Sequence, residues 1–295
     1  TSDNVRYWSG FYTSRPGQKR LLRATEAIQR AGEQLVLTAA LEKKPAYNGF
    51  NAVESLKRAN AIMTHHDGIT GTNTQPVKEE YDKLLINGAW RTFDTIGVAI
   101  SQLINGTADS FDVETTINNL PKGDTISVVV YNQLGWNNTQ FVRIYTNYTD
   151  LYVVDYTGEP VPSQIHECYI DCSQPYLLYF YTRLPPLGYS TFFVERSNYS
   201  KLEAKTIVET TASISNGFYK IDISDNGRMS SITNIFYNRT IAIENNFYVY
   251  KTQMFDSSQR IGSTNYMFWP EGPAKILVNG SIIQTTLVDG PLVKE

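Results

Sequence analysis

The sequence predicts an α+β multidomain protein: a three-helix bundle, then a small β-sandwich, then the first part of a larger β-sandwich. Apolar residues recur at helical spacing up to about residue 105, and alternate at the period of strands beyond it. Sixteen of the 20 tyrosines lie in this second part, and aromatic side chains favour pleated sheets. A length of 295 residues is enough for two or three domains.

The helical domain is predicted to cover residues 1–105. Helical spacing of apolar side chains extends over residues 17–41, over residues 50–65 and from residue 75 to 104. Short connections between three helices favour an antiparallel bundle. We therefore interpret the apolar stripes as the core of this bundle.

The β domains follow a segment without periodicity. Residues 106–123 are rich in Asp, Thr, Asn, Pro and Gly and are predicted to form a linker. Strand patterns in residues 124–205 predict the small β-sandwich, and those in residues 206–295 predict the first part of a larger β-sandwich.

Composition excludes two classes of partner. The net charge of −3 argues against nucleic acid, which selects basic surfaces. No apolar run approaches the roughly 20 residues of a transmembrane helix, so we expect no membrane span.

Two features indicate the secretory pathway. N-glycosylation sequons begin at Asn105, Asn137, Asn147, Asn198, Asn238 and Asn279. The two cysteines, Cys168 and Cys172, stand close enough in sequence to form a small disulfide, which suits an oxidising compartment. Free thiols, or a metal site that includes His166, are the alternatives, although zinc would need a fourth ligand.

A candidate metal site lies at the end of the second predicted helix. His65, His66 and Asp67 precede a Gly/Thr-rich turn, and imidazole with carboxylate can bind a metal and a polar ligand. Consecutive helical residues point about 100° apart, so we expect one imidazole to reach the site while the other packs behind it. Capping of the helix C-terminus by the histidines is the alternative interpretation.

Four motifs resemble the class II α-mannosidases of glycoside hydrolase family 38, with details closest to the lysosomal type. The first is Tyr7-Trp8-Ser9-Gly10-Phe11-Tyr12-Thr13-Ser14-Arg15-Pro16, and the second is His65-His66-Asp67-Gly68-Ile69-Thr70-Gly71-Thr72. The segments Val130–Gly135 and Leu184–Thr191 are similar to strands that open and close the family's first β domain.

The resemblance implies a role for three residues. His66 would be a zinc ligand, Asp67 would bind sugar hydroxyls, and Trp8 would stack on the mannosyl ring of a mannose-containing glycan. A structural role as a core aromatic is the alternative for Trp8, and Arg15 is expected to brace its loop. The implied activity is retaining, zinc-dependent hydrolysis of terminal α-mannosyl residues of N-glycans, in the lysosome or outside the cell.

The resemblance also implies that this chain contains no catalytic carboxylate. The family's nucleophile, acid/base and other zinc ligands belong to an N-terminal catalytic region, and a substrate-contacting tyrosine is expected past Glu295. We therefore expect partners in that region and in a remaining C-terminal β region, and no activity from this chain alone. A non-catalytic carbohydrate-binding or scaffold subunit is the alternative. Metal-dependent phosphohydrolases also use His-Asp pairs, but they need more histidines than the three present.

Overall fold

The predicted fold class is confirmed, since a helical region is followed by several antiparallel sheets. The computed structural model describes residues 8–42, 49–106, 112–197, 205–209, 212–254, 256–258, 262–277 and 285–295. The chain divides into two units, and one comprises Thr1–Phe111 with Val249–Lys275. The other comprises Asp112–Tyr248 with Ile276–Glu295. The predicted domain of residues 206–295 is therefore divided between the units.

The secondary-structure elements are numbered in chain order. The helices are α1 (Ser9–Thr13), α2 (Pro16–Leu41), α3 (Gly49–Met63), α4 (Gln75–Leu103) and α5 (Val113–Asn118). The strands are β1 (Thr125–Tyr131), β2 (Asn138–Thr146), β3 (Leu151–Asp155), β4 (Ser163–Glu167), β5 (Tyr176–Leu184), β6 (Tyr189–Arg196), β7 (Lys205–Glu209), β8 (Ala212–Ser215), β9 (Tyr219–Ile223), β10 (Met229–Asn234), β11 (Arg239–Ala242), β12 (Tyr248–Val249), β13 (Lys275–Ile276) and β14 (Thr285–Asp289).

Helices α2, α3 and α4 pack against one another and correspond to the three predicted helices. Their shared core includes Leu22, Ala59, Met63 and Leu85, all buried. Gly88 allows α3 and α4 to approach closely, because a Cβ there would lie 3.0 Å from the Cα of Leu56.

The predicted linker, residues 106–123, is corrected by the structure. Helix α5 lies inside it, and its Ile117 is fully buried in the core of the sandwich that follows. The Asp112 side chain caps this helix by accepting a 3.0 Å hydrogen bond from the backbone N–H of Thr115. Hydrogen bonds from the side chain and backbone of Thr115 hold the pKa of Asp112 below its ordinary value.

The small β-sandwich consists of two three-stranded antiparallel sheets. Their strand orders are β1-β6-β3 and β2-β5-β4. One core contains buried side chains from both sheets, such as Val128, Val153 and Val194 from the first and Leu178 and Phe180 from the second. Burial of these apolar side chains between two layers stabilises the sandwich.

The remaining strands form one four-stranded sheet, ordered β11-β10-β9-β8, and two pairs, β7 with β14 and β12 with β13. The fully buried Gln164 of β4 binds the segment after β14. Its Oε1 accepts hydrogen bonds from the N–H groups of Leu292 and Val293, both at 3.0 Å. Among the described residues, no helix is both long and apolar enough to cross a membrane.

Candidate functional site

The His-His-Asp motif lies in a tight turn that follows α3. The helix ends at Met63, and residues 64–70 form turns and a bend. The turn requires glycine at residue 68, because a Cβ there would lie 2.5 Å from the carbonyl oxygen of Met63. Gly71 adopts a φ of 74°, a left-handed conformation that favours glycine. The two glycines thus allow the chain to fold back beside the helix end.

The turn brings both imidazoles of the motif to one place. The ring centroids of His65 and His66 lie 4.2 Å apart, and their Nε2 atoms lie 3.6 Å and 3.4 Å from Oδ2 of Asp67. The expectation that one ring packs behind the other stays a prediction, but its geometric premise does not hold. It assumed helical geometry, but α3 ends before His65, so the angular separation of helical neighbours does not apply.

Asp67 is held by hydrogen bonds from two different parts of the chain. Its Oδ1 accepts one from the hydroxyl of Thr72 at 2.7 Å and one from the hydroxyl of Tyr266 at 2.9 Å. These two hydrogen bonds, with that from Thr72 the larger cause, lower the pKa of Asp67 below its ordinary value. The carboxylate is therefore ionised near neutral pH and presents negative charge beside the imidazoles.

The segment that contains Tyr266 is joined to both motifs. The backbone N–H of Phe11 donates to the carbonyl of Tyr266 at 3.1 Å. The amide of Asn265 donates to the carbonyl of Gly71, also at 3.1 Å. A Cβ at Gly10 would lie 3.0 Å from the carbonyl oxygen of Asn265, so glycine permits this approach. The three segments therefore form one local structure within the helical unit.

Trp8 lies at the edge of this structure. Its side chain is 54% exposed, and its ring makes an edge-on contact with that of Tyr266, with centroids 6.1 Å apart. The alternative interpretation of Trp8 as a core aromatic does not agree with this exposure. An exposed indole in contact with a phenol ring whose hydroxyl binds a carboxylate presents an apolar face and polar groups together, as sugar-binding sites require.

Arg15 connects the first motif to the second. Its guanidinium donates a hydrogen bond to the side-chain oxygen of Asn73, just beyond the His-His-Asp turn. Arg15 adopts a φ of 53°, immediately before α2 begins at Pro16. The expected bracing role of Arg15 agrees with this contact.

The donor atoms of the turn fit a metal ion. One ligand atom from each of His65, His66 and Asp67 can be chosen so that all lie within 4.8 Å of one another. Two nitrogens and a carboxylate oxygen are ligands that zinc accepts, but zinc sites in proteins have about four ligands. The described residues could therefore supply part of a zinc site.

Comparison with known proteins identifies the family. A model of the α-mannosidase middle domain matches residues 6–103. A probable α-mannosidase of Arabidopsis thaliana is 28% identical over 98% of this chain and 33% of its own length. The epididymis-specific α-mannosidase of Sus scrofa and the lysosomal α-mannosidase of Homo sapiens are 26% and 27% identical, each over 98% of this chain and 30% of their own lengths.

The chain belongs to the α-mannosidase family. It spans about a third of the length of the curated relatives that it matches. The family-model match contains both motifs that suggested this resemblance from sequence, since Trp8 and the His-His-Asp turn lie between residues 6 and 103.

Tyr266 was not predicted from the sequence, where the resemblance implied a sugar-contacting tyrosine only past Glu295. Tyr266 is 199 residues from Asp67 in the sequence, so no local spacing connects the two. The sequence signal that could have indicated Tyr266 is the local composition. Tyr266, Phe268 and Trp269 cluster just before Pro270, and aromatic side chains are typical of sugar-binding loops.

The described sequons of the chain lie at its surface. Asn105, Asn137, Asn147 and Asn238 are exposed, as glycan acceptors must be. Asn198 and Asn279 lie outside the described residues. Cys168 and Cys172 form a disulfide, so the alternatives of free thiols and of a metal site with His166 do not agree with the structure.

Proposed function

We propose that this chain is part of a retaining, zinc-dependent α-mannosidase that hydrolyses terminal α-mannosyl residues of N-glycans during glycoprotein catabolism. The observation that supports this most is the convergence of Trp8, Asp67 and Tyr266 beside the histidine pair. The names of the matched relatives support the same activity, and one of them is a lysosomal enzyme. A lysosomal or secreted location follows from the proposal.

His66 is the proposed zinc ligand of this chain. Its side chain is 81% exposed and so can meet ligands from outside the described residues. Zinc, when bound, supplies a positive charge that orients and polarises sugar oxygens. The remaining ligands are proposed to come from the N-terminal catalytic region of the same enzyme.

The sugar is proposed to be bound by three side chains that have distinct tasks. Trp8 offers its ring to the apolar face of the mannosyl residue, and Asp67 accepts hydrogen bonds from sugar hydroxyls. The hydroxyl of Tyr266 donates to Asp67, and its oxygen can still accept a hydrogen bond from a sugar hydroxyl. In this arrangement the stacking contact orients the plane of the sugar ring, and the hydrogen bonds recognise the positions of its hydroxyl groups.

The chemistry requires carboxylates from elsewhere in the enzyme. Retaining hydrolysis uses two carboxyl groups about 5–5.5 Å apart, one as nucleophile and one as acid/base. In the described site the contacts involve one carboxylate, Asp67, and it is already assigned to sugar binding. We therefore propose that both catalytic carboxylates belong to the N-terminal region. A remaining C-terminal β region is proposed to complete the enzyme.

The proposal is tested by two conservative substitutions in the full-length enzyme. Asp67→Asn removes the charge and Trp8→Phe reduces the stacking surface, while both keep the approximate shape. Each should weaken binding of a mannose-like inhibitor about tenfold, because a charge-assisted hydrogen bond or a stacking contact is lost. Bound zinc and the melting temperature should stay unchanged.

The controls are Asp94→Asn and Trp90→Phe, two exposed positions on α4 outside the site. They should leave inhibitor binding unchanged. Normal inhibitor binding with a sharply lower melting temperature in Asp67→Asn or Trp8→Phe would instead assign these residues to folding. Sugar binding without turnover in the full-length protein would favour the carbohydrate-binding subunit.

A further inference from the structure

The hairpin between β10 and β11 presents two aromatic side chains to solvent. Its turn, residues 235–238, lies between the paired residues Asn234 and Arg239. Phe236 is 82% exposed and Tyr237 is 74% exposed, and their rings make an edge-on contact with centroids 4.9 Å apart. Large apolar side chains that are exposed together indicate a contact with another group.

The same turn contains a glycosylation sequon. Asn238-Arg239-Thr240 places an acceptor asparagine two residues after Phe236 and next to Tyr237. Asn238 is exposed, and its φ of 46° lies in the left-handed region, which asparagine tolerates better than most residues. Its backbone N–H donates to the carbonyl of Ile235 at 3.3 Å, so the turn holds this residue in place.

We propose that Asn238 carries an N-glycan whose first N-acetylglucosamine packs against the Phe236–Tyr237 pair. Sugar rings present apolar C–H faces, which stack on exposed aromatic rings. The occupant of the aromatic surface is thus attached to the turn itself, within two residues of both rings. The contact stabilises the β10–β11 hairpin and removes an exposed apolar surface from solvent.

The glycan is transferred to Asn238 from an oligosaccharide that is linked to a lipid diphosphate. The side-chain nitrogen Nδ2 of Asn238 attacks C1 of the first sugar. A C1–N bond forms, the C1–O bond to the lipid diphosphate breaks, and the amide gives one proton to a base of the transferring enzyme. The lipid diphosphate is the leaving group. The disulfide between Cys168 and Cys172 is consistent with the secretory compartment in which this transfer takes place.

Another sequon of the chain provides a contrast. Asn147 is also exposed, but Thr146 before it is fully buried, and Tyr145 lies under the guanidinium of Arg143 at 5.3 Å. A glycan on Asn147 therefore lacks a pair of free aromatic rings in its own turn. This site serves as the control for effects that any glycan would have on the protein.

The test uses the chain expressed through a eukaryotic secretory pathway. Mass spectrometry of the peptide that spans residues 229–242 measures occupancy of Asn238. Hydrogen exchange of β10 and β11 is then compared among the glycosylated protein, Asn238→Asp, Phe236→Ala and the double variant. Asn238→Asp is chosen because aspartate also tolerates the left-handed conformation. An endoglycosidase that leaves one N-acetylglucosamine gives a glycan-trimmed sample without any substitution.

The glycosylated hairpin should exchange about fivefold more slowly than Asn238→Asp, since the sugar contact opposes local opening. Phe236→Ala should remove this protection but have no effect in the Asn238→Asp background. Trimming to one sugar should keep the protection, and Asn147→Asp should not change exchange in this hairpin. An unoccupied Asn238, or protection that persists in glycosylated Phe236→Ala, would overturn the proposal.

Discussion

The hydroxyl of Tyr266 donates a 2.9 Å hydrogen bond to Oδ1 of Asp67, which lies 199 residues earlier in the sequence. Thr72 also donates to Oδ1, so these two hydrogen bonds leave Oδ2 of the same carboxylate facing the histidine pair. The phenol thus links the motif that could bind a metal to the aromatic edge formed by Trp8.

Tyr266→Phe should weaken binding of a mannose-like inhibitor to the full-length enzyme about tenfold, because a hydrogen bond to a charged group is lost. Zinc content should not change, since the phenylalanine keeps the ring contact with Trp8. Isothermal titration with the inhibitor measures the effect. Tyr12→Phe, at an exposed tyrosine of α1, is the matched control. Equal affinities for Tyr266→Phe and the unaltered enzyme would remove Tyr266 from the site.

Local sequence patterns were sufficient for the long helices and for much of the sandwich. These patterns depend on neighbouring residues, as in the apolar spacing along α2 and the run of aromatic and aliphatic residues along β5. Tyr266 could not be predicted in this way, because its position depends on contacts between residues that are distant in sequence. Its carbonyl accepts a hydrogen bond from the backbone N–H of Phe11, and the side chain of the adjacent Asn265 donates to the carbonyl of Gly71. The tight turn after α3 was not predicted from the sequence for a different reason. Steric contact of residue 68 with Met63 decides the turn, and periodicity does not report it.

Helix α5 was missed although a signal was present. Asp112 is a suitable N-cap, and Val113 and Ile117 have the spacing of one helical face. The helix is only six residues long, so its stability comes from burial of Ile117 in the sandwich core and little from propensity. Tertiary packing of this kind is not visible in a short polar segment.

His66, and not His65, is predicted to be the zinc ligand. The prediction rests on the position of His66 in the family motif and on its greater side-chain exposure, 81% against 46% for His65. His66→Ala should reduce bound zinc to a small fraction and abolish activity, because one of about four ligands is lost. Metal analysis of both alanine variants in the full-length enzyme is the measurement. Zinc retained in His66→Ala but lost in His65→Ala would reverse the assignment.

Gly68→Ala should destabilise the helical unit by about 1–3 kcal/mol, because its Cβ would lie 2.5 Å from the carbonyl oxygen of Met63. Thermal unfolding should show a lower melting temperature, together with a loss of zinc as the turn shifts. Gly17→Ala is the control, since a Cβ there meets no atom within 4 Å and lies in a helix. A melting temperature equal to that of the control would contradict the steric account of the turn.

We expect the second unit to lose stability in acid because of His166. Burial lowers its pKa from the ordinary value of 6.5, although Glu295, 3.6 Å away, acts in the opposite direction. As the pH falls below about 6.5, the unfolded chain therefore binds a proton before the folded protein does. The contribution of His166 to the free energy of unfolding is therefore complete above about pH 6.5. It decreases as the pH falls toward the pKa of His166 in the folded protein.

His166→Phe keeps the stacking on Tyr179, whose ring centroid lies 5.3 Å away, but cannot bind a proton. Its melting temperature should therefore fall less between pH 7 and pH 5 than that of the unaltered protein. Glu295→Gln, which removes the opposing charge, should fall more. Parallel losses in all three proteins would show that His166 does not contribute to acid sensitivity.

Activity with an aryl α-mannoside tests the central proposal, that this chain completes an active site whose catalytic carboxylates lie elsewhere. Purified residues 1–295 should show no turnover with or without added zinc, because retaining hydrolysis needs two catalytic carboxyl groups and about four zinc ligands. Co-expression with the N-terminal catalytic region should give zinc-dependent turnover that is lost in His66→Ala. Clear zinc-dependent turnover by residues 1–295 alone would contradict the account and place the catalytic carboxylates within this chain.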